Sequence, residues 1–284
     1  MTDRSLTALG FHDVPALRPL TYPGRPVTAP ALLAGSELWE LTPSPGSPGG
    51  WPVLGAPRIG QRRPREPLDA VLARLGQVPL EQRHPVIAVG SNASPAQLHH
   101  KLTALGHPAA VPMVPVRVRG IGVGCSAHIG RYGYVATAPY ADPAAETPLV
   151  VSWLDAAQLA SVDATEFPNY RRILLPGASF PMVLPSGERL GGAYLYVGAR
   201  GVLAGPDGAP DRPSGRPRPG GGDQSALLTG LLASSARLRG LLGPDPRAWI
   251  RRAAADRALR ETAASVFAEE GWVLRGYDPL STLA

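Results

Sequence analysis

The chain has 284 residues, 44% of them apolar, with one cysteine and a formal charge of +6 at a pI near 9.9. That length is long for one small domain and short for two large ones, and the apolar share is enough for a packed core. Cys125 alone excludes an intrachain disulfide and fits a reducing compartment. The positive charge is spread along the chain, with only small groups such as Arg62, Arg63 and Arg65, so a solvated surface rather than a nucleic-acid partner is expected.

The first twenty residues lack the apolar core of a signal peptide, and no apolar run approaches the roughly 20 residues of a membrane helix. A soluble cytoplasmic protein is expected. Residues 1–65 are rich in Pro and Gly, read as turns and extended pieces, and suggest no fold of their own. Short apolar islands (Leu38, Trp39 and Leu41; Trp51, Val53 and Leu54) could dock on a neighbouring domain.

A domain is expected over residues 66–200. Pro67 and Gly76 bracket a short helix whose Leu68, Val71, Leu72 and Leu75 fall at helical spacing. Residues 86–89 read as a buried strand ending in the turn Gly90-Ser91-Asn92. Ser94 then caps a second helix, with Pro95 at its first position and Leu98, Leu102 and Leu105 on its apolar face. Strands follow: Val114, Val116 and Val118 alternating with polar or turn-forming residues, then residues 132–138 and 149–153. Asp155 and Gln158 have capping-box spacing and open a helix running toward Glu166. Residues 170–175 return to strand, and residues 182–197 read as a hairpin about Ser186-Gly187.

Residues 201–223 hold a Pro/Gly-rich stretch that reads as a flexible linker. Residues 224–284 are expected to be helical, with leucines at helical spacing over 224–242 and a long amphipathic run over 247–270.

A tight turn between a strand and a helix N-terminus can present backbone N–H groups to a carboxylate or oxyanion. Gly90 there allows positive φ or close approach of a ligand. Glu166 at a helix C-terminus meets the negative end of the dipole, and burial beside Phe167 would add to the effect; both raise a carboxyl pKa toward the range useful for proton transfer. Alone, each feature also reads as an ordinary turn or a surface glutamate.

Taken in order, the turn Gly90-Ser91-Asn92, Trp153 in a later strand, Val162-Asp163 and Glu166 at a helix end, and Tyr170 resemble the γ-glutamylcyclotransferase-like superfamily over residues 86–197. Residues 133–139 also resemble one of its strands. Val89 stands where the family has Tyr, and Phe167 where it has Gly. The resemblance implies an α+β fold, a small mixed β-barrel or sheet with short helices, here followed by C-terminal helices. It implies a cofactor-independent, metal-free enzyme acting on a small γ-glutamyl molecule. Glu166 would be the catalytic acid/base, with Val89, Gly90, Ser91, Asn92 and Tyr170 binding substrate. The product would be 5-oxoproline. The alternative is a non-catalytic binding or regulatory module that keeps the fold.

Other features are weaker. Cys125 and His128 lie three apart on a strand, hence on opposite faces. The glycines at 120, 122 and 124 lack the helix a dinucleotide site needs. His99 and His100 are expected to be solvated, and one of Arg171 and Arg172 could face a substrate carboxylate.

Overall fold

The computed structural model describes residues 3–54, 65–206, 213–274 and 280; Arg62 and Arg63 lie outside them. The chain begins with a hairpin of β1 (Ala31–Ala34) and β2 (Glu37–Glu40), then β3 (Pro52–Leu54) paired with β4 (Arg65–Pro67) in a two-stranded sheet. Helix α1 (Leu68–Arg74) follows, then β5 (His84–Ala88), α2 (Pro95–Ala104), and the long strands β6 (Ala110–Ile129) and β7 (Val135–Leu154). Next come α3 (Ala156–Glu166), β8 (Tyr170–Pro176), β9 (Met182–Val183), β10 (Gly192–Gly198), β11 (Val202–Pro206) and β12 (Pro213–Pro217). The chain continues through α4 (Gln224–Ser234), α5 (Ala236–Leu242), α6 (Pro246–Ala255), α7 (Arg257–Glu269) and β13 (Val273–Leu274).

The fold is α+β. Its main sheet runs β12-β11-β6-β7-β5-β10-β8 and is open, not a closed barrel. Only β5 and β10 are parallel among these neighbours. Among the described residues no helix is long and apolar enough to cross a membrane.

Both faces of the sheet are covered, which is why its strands read as nearly continuous apolar runs rather than clean alternation. Successive residues of β5 enter different cores. Ile87 packs with Val114, Val151, Trp153 and Leu195 against α1 and Trp51, whereas Val86 packs with Met113 and Val150 against Leu98, Leu102, Leu159 and Val162 of α2 and α3. A third core joins Cys125, Ala127, Ile129 and Val135 to Trp249, Val266 and Phe267 of the C-terminal helices. The Trp249 indole donates to Gly133 O at 2.9 Å. Gly133 has φ of 90°, and a Cβ there would stand 2.8 Å from the Ile250 carbonyl oxygen, so only glycine lets α6 dock this closely.

The helix starts follow the sequence closely. Ser94 accepts from Gln97 N to cap α2, and Asp155 and Gln158 form the reciprocal capping box of α3. Four expectations change. The irregular N-terminal segment places β1 beside β6 in the main sheet. The presumed linker contains the β11–β12 pair. The hairpin about Ser186-Gly187 spans only residues 182–190, with Val183 bridged to Arg189; β9 also pairs with β6, whereas β10 lies between β5 and β8. The long C-terminal helix is broken at Asp256, whose carboxylate accepts from Leu259 N and caps α7 as a separate helix.

Candidate functional site

The turn after β5 and the end of α3 meet at a cleft of about 550 Å³. Its lining includes Val89, Gly90, Ser91, Asn92, Glu166 and Tyr170, so all six residues singled out in the sequence come together. Residues 91–93 form a single 3-10 turn that leads through Ser94 into α2.

Glu166 is the charged centre of the cleft. Its Oε1 accepts from Lys101 Nζ at 2.9 Å and from Asn92 Nδ2 at 3.1 Å. Both donors fall on the same oxygen, and among the described residues Oε2 has no hydrogen-bond or ion-pair partner. Lys101 and Glu166 keep only 15% and 16% of their side-chain surface exposed. A charge-assisted contact so shielded from water holds the carboxylate in one orientation. The oxygen of the Asn92 amide, Oδ1, is buried without a partner. A buried acceptor of this kind costs about 1–3 kcal/mol unless a ligand or water satisfies it. The expected apolar burial of Glu166 beside Phe167 is not found: Phe167 lines the cleft but is 77% exposed.

Gly90 has a negative φ of −140°, so left-handed freedom is not its use. Close approach is. A Cβ on Gly90 would lie 2.5 Å from the Tyr22 hydroxyl and 2.6 Å from Thr137 Oγ1. Tyr22 comes from the N-terminal segment and is buried. Its hydroxyl accepts from Thr137 N at 2.9 Å and lies 2.9 Å from Thr137 Oγ1, which in turn donates to Val89 O at 2.9 Å. The two hydroxyls can each use one proton only if Tyr22 donates to Thr137. The order is therefore Thr137 N–H to Tyr22, Tyr22 to Thr137 Oγ1, and Thr137 to Val89. The phenol thus fills the space that a side chain at Gly90 would take. The Tyr22 ring stacks on Tyr134 with centroids 4.2 Å apart. Burial pushes the Tyr22 hydroxyl up to about 12, so it remains a neutral donor.

Tyr170 does not reach Glu166. Its hydroxyl donates to Thr137 O at 2.8 Å, tying β8 to β7 behind the turn. Burial raises its pKa well above the usual phenol value. His128 packs edge-on to Tyr170, and its Nδ1 lies 2.7 Å from Ser126 Oγ. Burial, reinforced by the Arg200 charge, depresses the imidazole to about 4.

The minor candidates separate from the cleft. Burial pushes the Cys125 thiol up to about 11, and Sγ donates to Pro219 O at 3.2 Å, so neither ionisation nor geometry makes it a nucleophile. Arg172 forms a bidentate pair with Asp163 at 2.8 and 3.0 Å and stacks over Tyr194; neither it nor Arg171 lines the cleft. His99 and His100 are half-buried rather than solvated, and His100 borders the cleft.

Sequence reasoning missed Tyr22, Lys101, Tyr134 and Thr137. Lys101 carried a signal, being the chain's single lysine and sitting three residues after Leu98 on the helix that follows the turn. Tyr22 carried none: it lies 67 positions before Val89 in an aperiodic segment.

No protein-family model matches the chain, and no curated protein matches it. Solved structures do. A γ-glutamyl cyclotransferase is 14% identical, with 42% of this chain and 68% of that one covered at a TM-score of 0.34. An uncharacterised protein from Homo sapiens is 15% identical, with 42% and 68% covered at 0.34. A yeast γ-glutamyl cyclotransferase specific to glutathione is 13% identical, with 65% and 99% covered at 0.31. The functional reading therefore rests on the residues of the cleft.

Proposed function

We propose that this chain is a γ-glutamylcyclotransferase-like enzyme that releases 5-oxoproline and a free amine from a small cytoplasmic γ-glutamyl amine or amide. The observation that supports it most is the convergence on one cleft of the Glu166 carboxylate, with Oε2 open, and the Val89–Asn92 turn, with Asn92 Oδ1 unsatisfied.

The chemistry is an intramolecular acyl transfer. The substrate α-amine attacks its own γ-carbonyl carbon, the new C–N bond closes a five-membered lactam, and the old C–N bond breaks. Glu166 Oε2 takes the proton from the attacking amine and returns it to the departing nitrogen. Asn92 Oδ1 accepts from the substrate amine and holds it toward its own carbonyl. Since nucleophile and electrophile belong to one molecule, holding the productive rotamer supplies much of the rate. The Lys101 ammonium beside Oε1 keeps Glu166 aimed.

The same ion pair favours the second reading, a binding module in which Lys101 occupies the carboxylate permanently. The test is 5-oxoproline release from a panel of γ-glutamyl amines and dipeptides, wild type against Glu166→Gln. Release by wild type that falls about 10²-fold or more in the variant is the expected result. A folded wild-type protein that releases none from the whole panel would leave the binding-module reading.

A further inference from the structure

A second, larger cleft of about 800 Å³ lies between the C-terminal helix α7 and the β6 and β10 strands. It adjoins the first, because His128, Arg131 and Asn169 line both. Residues 257, 260, 261, 264, 265 and 268 line one wall at helical spacing, so a single face of α7 looks into it.

The lining is electropositive. Arg131, Arg200, Arg257 and Arg260 face one carboxylate, Glu261. Glu261 is taken by Arg257 at 2.8 Å. Among the described residues no carboxylate pairs with Arg131, Arg200 or Arg260. Arg260 is partly buried and uses one nitrogen on Ala253 O, leaving the rest of its fork for another acceptor. Burial depresses its pKa; the Glu261 charge opposes this, and the positive charges of Arg257 and Arg131 reinforce it, which places these groups in one another's field. Like charges gathered on the walls of a cleft raise the local concentration of anions, and guanidinium forks match carboxylate and phosphate geometry.

We propose that this cleft is an anion-binding site for a ligand bearing at least two negative charges, whose other end reaches the Glu166 cleft across the His128–Arg131–Asn169 ridge. Three guanidiniums without a carboxylate partner among the described residues exceed what one carboxylate would neutralise, and the volume exceeds what the amine side of a small γ-glutamyl amide would fill. That this ligand is the substrate rests on the cyclotransferase reading; the anion site does not. The shared chemistry is that of a phosphate ester or an oligocarboxylate.

The experiment is calorimetric titration of the full chain at low ionic strength with inorganic pyrophosphate and, separately, with propane-1,2,3-tricarboxylate. Wild type, Glu166→Gln, the double variant Arg131→Gln/Arg200→Gln, and Arg260→Gln are compared, each with its circular dichroism and melting temperature recorded. At least one anion is expected to bind wild type and Glu166→Gln alike. It should bind the double variant about tenfold more weakly or worse, with affinity falling as salt is added. Preference for pyrophosphate assigns a phosphate ester, and preference for the tricarboxylate an oligocarboxylate. Wild type that binds neither probe, or folded arginine variants that bind as wild type does, would overturn the proposal. Binding is read without turnover, so failure of the cyclotransferase reading leaves a separate trace: anion binding intact with no 5-oxoproline from any γ-glutamyl compound.

Discussion

Glu166 sits between two donors that fix one of its oxygens and leave the other open. That division gives a prediction distinct from loss of the acid/base itself. Lys101→Met keeps the length of the stem and removes the ammonium, so Glu166 loses its aim but the carboxyl group stays. 5-Oxoproline release should fall about 10²-fold, as for a misplaced catalytic group, with kcat affected more than KM; steady-state kinetics on the best panel substrate would show it. Tyr22→Phe removes one hydroxyl, leaving Thr137 N–H without its acceptor and Thr137 Oγ1 without its donor in a buried place, so destabilisation of about 1–3 kcal/mol is expected in urea melts. His128 gives a pH dependence. Its folded pKa of about 4 lies below the unfolded value of about 6.5, so between these the unfolded chain binds a proton that the folded chain does not. Stability should therefore fall as pH drops from about 6.5 to 4, and His128→Gln should flatten that slope in denaturation midpoints measured against pH.

At the scale of elements, legibility followed locality. Pro95 and Ser94 at the start of α2, Asp155 and Gln158 at the start of α3, and the Gly90-Ser91-Asn92 turn are short-range signals, and the structure has those elements at those places. Glu166 and the turn could be read for the same reason: each lies at an element boundary. What could not be read was pairing between distant segments. Nothing near Ala31 announces β6 as its neighbour, and nothing near Met182 announces β6 rather than β10. The Pro/Gly content of residues 206–222 concealed the β11–β12 pair, because composition reports flexibility of the unfolded chain and not the partners it meets. The C-terminal helices were read as helices, but Asp256 as a break was not. Their docking rests on Trp249, fully buried and hydrogen-bonded to Gly133. Trp249→Ala should cost about 3–5 kcal/mol and lower the melting temperature markedly. It should also weaken anion binding at the α7 cleft if that helix shifts.

At the scale of the molecule, the three cores are not independent. Val111 and Met113 belong to one, Val114, Val116, Val118 and Ile121 to another, and Cys125, Ala127 and Ile129 to the third, and all of them lie on β6. One strand is a wall of every core. None of the three can melt while the others keep that wall intact, unless β6 itself comes apart partway along. A chain of 284 residues would ordinarily unfold in stages. Here the shared strand acts as a common thread, so calorimetry should give a single endotherm whose van't Hoff and calorimetric enthalpies agree. Two resolved endotherms would show that the thread parts near Gly120, where the β6–β7 register shifts and the backbone takes φ of 81°.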